Sequence, residues 1–550
     1  MAAEGSPTDR PELRTAKCIR TLTISLGIGV LAYGIALAAL SRAGFPSTVR
    51  TGSSVPYLSD KPVGEDAYYM LSVARNVARG RGIVYNGRKK TTGVQPLATV
   101  IYAGLIWGIE KAGGNEWTIV RSILAFGVVL LILFAHVIGV ISAHLAGRTS
   151  AEDRAVAYGL GFCFALLNFS VLRLFTYGLE TSMYLLILSV AVLATMRIGD
   201  GASGREGRYE IVLGCLFGAA ALARIDFLAL AALFLVVATA RRKMSIRRGI
   251  LAGGICLMIV SPWLVWVKFT GGSWMPSSGL AQAALPSAGS LLSRLTAIAT
   301  ALADHATPWA YEANRLPLVV VGAASGIAVW GWLSRTRGKD ASAGRPGALA
   351  RNNPFYFEWA VSLAALVLVY AVFFRSRHFY LRYTAPVLVL VLPVLAGLVQ
   401  RELRQSRKWL FPALVSAMLL SFAAAAFVSL HTGTVGNDLT INAGFIRQEF
   451  PDSARIGAFQ SGVLGFFHEN VFNLDGKIDV SALHHLRSGT MSQYLDRERI
   501  DVVIDWPSYI YGNLDREYLD GQWVPRPTGL APRRSVCLVR LGSGLSRLPR

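Results

Sequence analysis

The sequence predicts an all-α polytopic membrane bundle, with about eleven transmembrane helices and some juxtamembrane helices, joined to a small C-terminal α/β domain. Three observations predict it. Of the 550 residues, 53% are hydrophobic and 16% are charged, whereas soluble domains carry roughly 25% charge. Apolar stretches able to cross a ~30 Å hydrocarbon layer, roughly 20 residues each, recur from Cys18 to Leu430. Beyond Leu430, Pro, Gly, Asp and Asn interrupt short β-branched runs. A single water-soluble core is thereby excluded. The five cysteines are scattered without a CxxC pair, which indicates neither a zinc site nor a disulfide framework.

The expected spans are 18–41, 118–144, 155–176, 180–197, 208–224, 226–240, 249–269, 315–334, 356–374, 382–400 and 410–430. The first is too long for the apolar core of a signal peptide and has no clean cleavage site, so it reads as a retained anchor. Loops around 148–154, 197–208, 241–248, 335–351 and 401–408 are rich in Lys and Arg. By the positive-inside rule these loops face the cytoplasm. The apolar segment Pro96 to Ile109 would invert every later loop if it crossed, and it is short, so it reads as a juxtamembrane or re-entrant helix. The expected organisation is a cytoplasmic tail at 1–17, a transmembrane domain at 18–430 whose outer loop covers 43–117, and an extracytoplasmic domain at 431–550.

That outer loop is itself basic, with Arg75, Arg79, Arg81, Arg88, Lys89 and Lys90 among its cations. Either a long loop is exported despite its charge, or these cations face an anionic ligand such as a lipid phosphate. In residues 432–550, thirteen Lys and Arg balance thirteen Asp and Glu, so the net +22 lies wholly in the membrane part. No nucleic-acid partner is expected. Strands are expected at 454–459, 471–474, 501–504 and 536–539, alternating with helices at 463–467 and 480–486.

Chemistry-bearing residues concentrate at Gly64-Glu65-Asp66-Ala67-Tyr68-Tyr69, where two carboxylates open an amphipathic helix. Acids in a first turn suit the helix dipole. A carboxylate there could equally take a proton from an attacking hydroxyl, which is worth roughly 10²- to 10⁴-fold in rate.

The stretch Glu65-Asp66-Ala67-Tyr68-Tyr69, then Ala74-Arg75-Asn76, Gly80, Gly82 and Thr92-Gly93-Val94-Gln95-Pro96-Leu97, resembles the signature of bacterial polyprenyl-phosphate-sugar-dependent glycosyltransferases of the GT-C superfamily. The resemblance continues through Gly178-Leu179-Glu180-Thr181, Ala223-Arg224-Ile225-Asp226, the Pro276-Ser277-Ser278-Gly279 loop, Arg382-Tyr383, and Asn473-Leu474-Asp475-Gly476. It implies a GT-C bundle and an inverting hexosyl- or pentosyltransferase. It also implies a bacterial inner (plasma) membrane location, with the N-terminus cytoplasmic and the C-terminal domain extracytoplasmic. The donor would be a sugar on polyprenyl phosphate, and the acceptor an extracytoplasmic glycan, glycolipid or protein, among membrane lipids.

On this resemblance the catalytic carboxylate is Glu65 or Asp66. The donor phosphate falls to Arg382 and then Arg224, with Arg377 and His378 nearby, because a guanidinium forks onto phosphate oxygens. Tyr68, Gln95, Glu180, Asp226 and Ser278 are expected to bind substrate, while Glu180 and Asp226 could alternatively pair with Arg224 or Arg173. Glu65 stands where Asp is common and Gln282 where Lys often sits. No cofactor is required and no metal site is indicated, although two carboxylates leave room for a divalent cation. The competing readings are a transporter or flippase, expected to show repeats and broken helices, and a non-catalytic binding protein for lipid-linked sugars. The tryptophans Trp107, Trp117, Trp263, Trp266 and Trp274 read as an interfacial belt.

Overall fold

The computed structural model describes residues 11–46, 57–59, 62–147, 149–199, 206–284, 290–306, 355–374, 380–406, 410–431, 438–530 and 534–545. Helix α1 (Pro11–Leu40) enters the bundle, and α2 (Glu65–Ala78) and α3 (Pro96–Lys111) form the long first loop. Then follow α4 (Glu116–Leu145), α5 (Ala151–Leu166), α6 (Phe169–Thr176), α7 (Thr181–Gly199), α8 (Glu206–Ala223), α9 (Phe227–Ala240) and α10 (Ile246–Gly271). After α11 (Ser277–Ala284) and α12 (Leu291–Ala306) come α13 (Tyr356–Phe373), α14 (Tyr380–Thr384), a 3-10 turn at Ala385–Val387, α15 (Leu388–Ser406) and α16 (Leu410–His431).

Among the described residues, five helical segments are long and apolar enough to cross a membrane: Thr15–Leu40, Glu116–Leu145, Ile246–Gly271, Tyr356–Phe373 and Tyr380–Arg401. A sixth is the pair α5 and α6, bent by 59°. The expected straight span 155–176 is therefore broken. Asn168 causes the break, since its side chain accepts from the Val171 N–H at 3.2 Å and caps a new helix. Shorter apolar helices at Thr181–Arg197, Tyr209–Ala223, Phe227–Ala240 and Phe411–Ala424 fall in other expected spans, and the span expected at 315–334 lies outside the described residues.

Helices in lipid associate by close packing more than by hydrophobic burial, which favours small residues at their contacts. The Gly214-Cys-Leu-Phe-Gly218 run of α8 packs on Ile255 and Ile259 of α10, where an added Cβ would come within 2.8 Å. Gly127 of α4 meets the Phe175 carbonyl of α6, and Gly161 of α5 meets Ser142 of α4.

The C-terminal region begins with α17 (Asp438–Glu449) and runs β1 (Ile456–Ala458), α18 (Gly462–Phe467), β2 (Val471–Asn473), α19 (Val480–Ser488), α20 (Met491–Arg497), β3 (Val502–Asp505), α21 (Pro507–Asn513), α22 (Arg516–Gln522), β4 (Trp523–Arg526) and β5 (Val536–Arg540). The sheet order is β2-β1-β3-β5-β4. Its first three strands are parallel, and β5 and β4 add antiparallel. Four strands lie where the sequence predicts them. The fifth, β4, is missed because Pro525 argues against a strand, and it is tolerated on this edge position.

This region is seated on α2. Tyr68, buried, packs at a tilt against Phe466 and Phe467 at 5.4 and 6.0 Å, and Trp117 packs on Phe467 at 4.6 Å. Around this aromatic joint, Arg79 pairs with Glu110 at 2.9 Å and Glu469 at 2.7 Å, while Lys89 pairs with Glu498 at 2.6 Å and Asp479 at 3.3 Å. Neither reading of the basic loop anticipated this: several of its cations face the acids of the C-terminal region.

Candidate active site

The first turn of α2 is placed by two close approaches. Gly64 lies against the Tyr177 ring, where a Cβ would come within 2.1 Å, and its N–H donates to the Tyr177 carbonyl at 3.0 Å. The two acids that follow point to different neighbours. Glu65 reaches away to α18, accepting from the Gly462 N–H at 2.5 Å and the Val463 N–H at 3.0 Å. Burial lifts its carboxyl to about 7, against the lowering effect of those two N–H groups. Asp66 faces a cavity of about 810 Å³. Its Oδ2 lies 3.6 Å from Arg382 Nη1, and its Oδ1 lies 3.6 Å from Lys477 Nζ.

Helical spacing accounts for the split. Residues i, i+3 and i+4 share a helix face while i and i+1 do not, and Asp66, Tyr69 and Met70 all line the cavity. Tyr68 does not: its hydroxyl donates to the Leu58 carbonyl at 2.9 Å in the core. Tyr68, expected to bind substrate, therefore lies away from the cavity, which Tyr69 of the same turn lines instead.

The bundle supplies the opposite wall. Arg224, at the end of α8, forks onto Asp226 at 3.2 and 2.6 Å and lies 3.5 Å from Glu180. Tyr370 donates its hydroxyl to Asp226. The Tyr383 ring serves both guanidinium groups, with Arg224 at 4.4 Å and Arg382 at 5.4 Å from its centroid. Glu180 and Asp226 therefore form the ion pair with Arg224 that was one of their two expected roles. Gln95 and Ser278, expected to bind substrate, line the cavity, and so does Gln282. Arg377 and His378 lie outside the described residues. Trp263, Val369, Phe373 and Phe374 form an apolar side, and Trp263 and Trp274, expected as belt residues, line the cavity.

Lys477 is the charged lining residue that sequence reasoning missed. It follows the Asn473-Leu474-Asp475-Gly476 motif directly, and Gly476 turns the chain with a φ of +76°. Burial opposes its charge, but Asp475 at 3.1 Å together with Asp66 outweighs that and raises its pKa above the ordinary range. Among the described residues, no three His, Cys, Asp or Glu side chains gather as metal ligands.

This multi-span helical bundle with a small mixed α/β C-terminal region is an ArnT-like fold. ArnT from Cupriavidus metallidurans in the apo state superposes with a TM-score of 0.58 at 15% identity, covering 96% of this chain and 99% of that one. The resemblance read from the motifs holds at the level of fold, and the chain is a multi-pass membrane protein. Looser likenesses are to the Archaeoglobus fulgidus oligosaccharyltransferase. One is with zinc and sulfate (TM-score 0.43, 9% identity, 90% and 71% covered). Another is AglB with an inhibitory peptide and a dolichol-phosphate (TM-score 0.41, 10% identity, 96% and 75% covered). No family model matches the sequence, and no curated protein matches it either.

Proposed function

We propose that this chain is an inverting glycosyltransferase that moves a sugar from polyprenyl phosphate to an acceptor hydroxyl, with Asp66 as general base. The acceptor oxygen bonds to the sugar C1 as the C1–O bond to phosphate breaks. The hydroxyl proton passes to Asp66, and the polyprenyl phosphate leaves with one more negative charge. The observation that carries this reading is the placement of Asp66 and Arg382 3.6 Å apart in one cavity, with apolar Trp263, Phe373 and Phe374 beside them for a lipid tail. Arg382 is assigned to the phosphate ahead of Arg224, because Arg224 already compensates Asp226 and Glu180.

The basic loops between spans support a cytoplasmic N-terminus and an extracytoplasmic cavity and C-terminal region in a bacterial plasma membrane. The acceptor class is a glycan, glycolipid or protein on that side. The reading requires no cofactor, since the leaving charge is met by guanidinium groups.

The test is transfer of a labelled sugar from polyprenyl phosphate in proteoliposomes. Asp66→Asn should lower turnover by about 10²- to 10⁴-fold, while Glu65→Gln should stay within tenfold of the unaltered chain. Full turnover by Asp66→Asn removes the base assignment. Movement of the donor across the bilayer with no glycoside formed replaces the enzyme with a flippase.

A further inference from the structure

The cavity brings together three carboxylates, Asp66, Glu180 and Asp226, and three cations, Arg224, Arg382 and Lys477. Two of those cations come from the membrane bundle and one from the C-terminal region. Without Lys477 the lining would be net negative, and an anionic lipid phosphate would be repelled.

Lys477 is also held with unusual care. Gly93 lies against its backbone so closely that a Cβ would sit 1.9 Å from the Lys477 carbonyl oxygen. Ser277 Oγ donates to that same oxygen at 2.8 Å, and the Ser277 N–H donates to Thr92 Oγ1 at 3.1 Å. The Lys477 N–H donates to Asp475 Oδ1 at 2.9 Å. Two distant segments and its own turn therefore fix where this ammonium enters the cavity. Its Nζ lies over the Tyr69 ring at 5.8 Å, facing Asp66 from the side opposite its contact with Arg382.

On the proposed reading of this site, we infer that Lys477 is a second contact for the donor phosphate, and that Lys477 and Arg382 bridge to it together. The arriving phosphate competes with Asp66 for both cations. Asp66, which the two hold in the empty cavity, is released to accept the acceptor's proton as the donor is seated. The base is thereby armed by the donor, and the C-terminal region completes the active site.

The experiment uses the full chain in two arms. In proteoliposomes, Lys477→Gln should lower kcat/KM for the polyprenyl-phosphate sugar about 30- to 1,000-fold, as expected for removing one partner of a desolvated charge pair. Both KM and kcat should move, and Lys477→Arg should remain within tenfold. In detergent, a short-chain prenyl phosphate should raise the thermal midpoint of the unaltered chain and of Lys477→Arg, but not of Lys477→Gln, and the corresponding prenol should raise none. Should Lys477→Gln fail to fold, acetylation of Lys477 in the unaltered chain, read by mass spectrometry, should be suppressed by prenyl phosphate and not by prenol. Unchanged kinetics in Lys477→Gln, or equal acetylation with and without prenyl phosphate, overturns the inference while leaving the transferase reading intact. Absence of glycoside from the unaltered chain overturns the transferase reading, and the prenyl-phosphate arm still decides the contact.

Discussion

Replacing Gly93 with Ala tests whether the seat of the C-terminal region sets the geometry of the cavity. The backbone at Gly93 is not left-handed, so Ala can adopt it, and the cost arises from collision alone. A Cβ there would stand 1.9 Å from the Lys477 carbonyl oxygen and 2.9 Å from Ser277 Oγ, and a backbone carbonyl cannot swing aside as a side-chain tip can. Overpacking of this kind costs about 1–3 kcal/mol. Relieving it requires Lys477 to move by about an ångström or more, and a 1 Å misplacement at a reacting centre costs about 10²-fold in rate. Gly104→Ala is the control. It lies within α3 with nothing inside 4 Å of its added Cβ, and Ala is the better helix former by roughly 1 kcal/mol. Steady-state transfer kinetics and thermal unfolding in detergent should show Gly93→Ala destabilised and about 10²-fold slower, with Gly104→Ala unchanged or more stable. Equal kinetics for Gly93→Ala and the unaltered chain would refute the argument, as would an equal loss in Gly104→Ala.

Three further outcomes follow from the same contacts. Because Glu65 is lifted from an ordinary 4.5 to about 7, the folded chain keeps a proton that the unfolded chain releases. Its contribution is full below pH 4.5 and is lost as pH rises through 7, with a slope no steeper than about 1.4 kcal/mol per pH unit. Thermal midpoints between pH 5 and 8 should fall more steeply for the unaltered chain than for Glu65→Gln, and parallel curves would exclude this group. Arg224→Met strands the buried Glu180 and the half-buried Asp226, and breaking a buried pair costs about 3–5 kcal/mol. Arg224→Met should therefore lower the unfolding midpoint well below that of Lys477→Gln, and an equal or higher midpoint contradicts the pairing. Exhaustive chelation should change transfer less than twofold, whereas a loss restored by a divalent salt would assign the leaving charge to a metal.

The bundle was legible because its evidence is local: a span announces itself by about 20 apolar residues, and its direction by the charges beside it. The site was legible as a set of motifs but not as a geometry. Glu65 and Asp66 are neighbours in sequence, and the choice between them depends on Gly462 and Val463, 397 and 398 residues away. The same ambiguity misplaced Tyr68, since nothing near it in sequence says which face of α2 meets Phe466 and Phe467. The bend at Asn168 was available in principle, as an N-cap residue inside an apolar run, but the unbroken hydropathy on either side concealed it. Lys477 stayed hidden because a lone lysine after a turn has no periodicity to mark it.

The departure at Glu65 then has a physical reason. A carboxylate at this position holds the N-terminus of α18 through two backbone N–H groups. An Asp, shorter by one methylene, would have to draw α18 closer to make the same bonds. That approach is blocked, because Gly462 is already so near that a Cβ on it would stand 2.3 Å from the Glu65 carbonyl oxygen. Glu at position 65 and Gly at 462 are thus one solution to one distance. Together with Gly93 against Lys477 and Gly465 against the Tyr85 hydroxyl, they lock the C-terminal region onto α2 and the segment that follows it, and leave little room for it to swing. On the proposed function, a cavity so closed on that side admits its lipid-linked donor elsewhere. Val369 and Phe373 line it and are also 46% and 70% exposed on the bundle surface, so its apolar side opens where a lipid chain would lie.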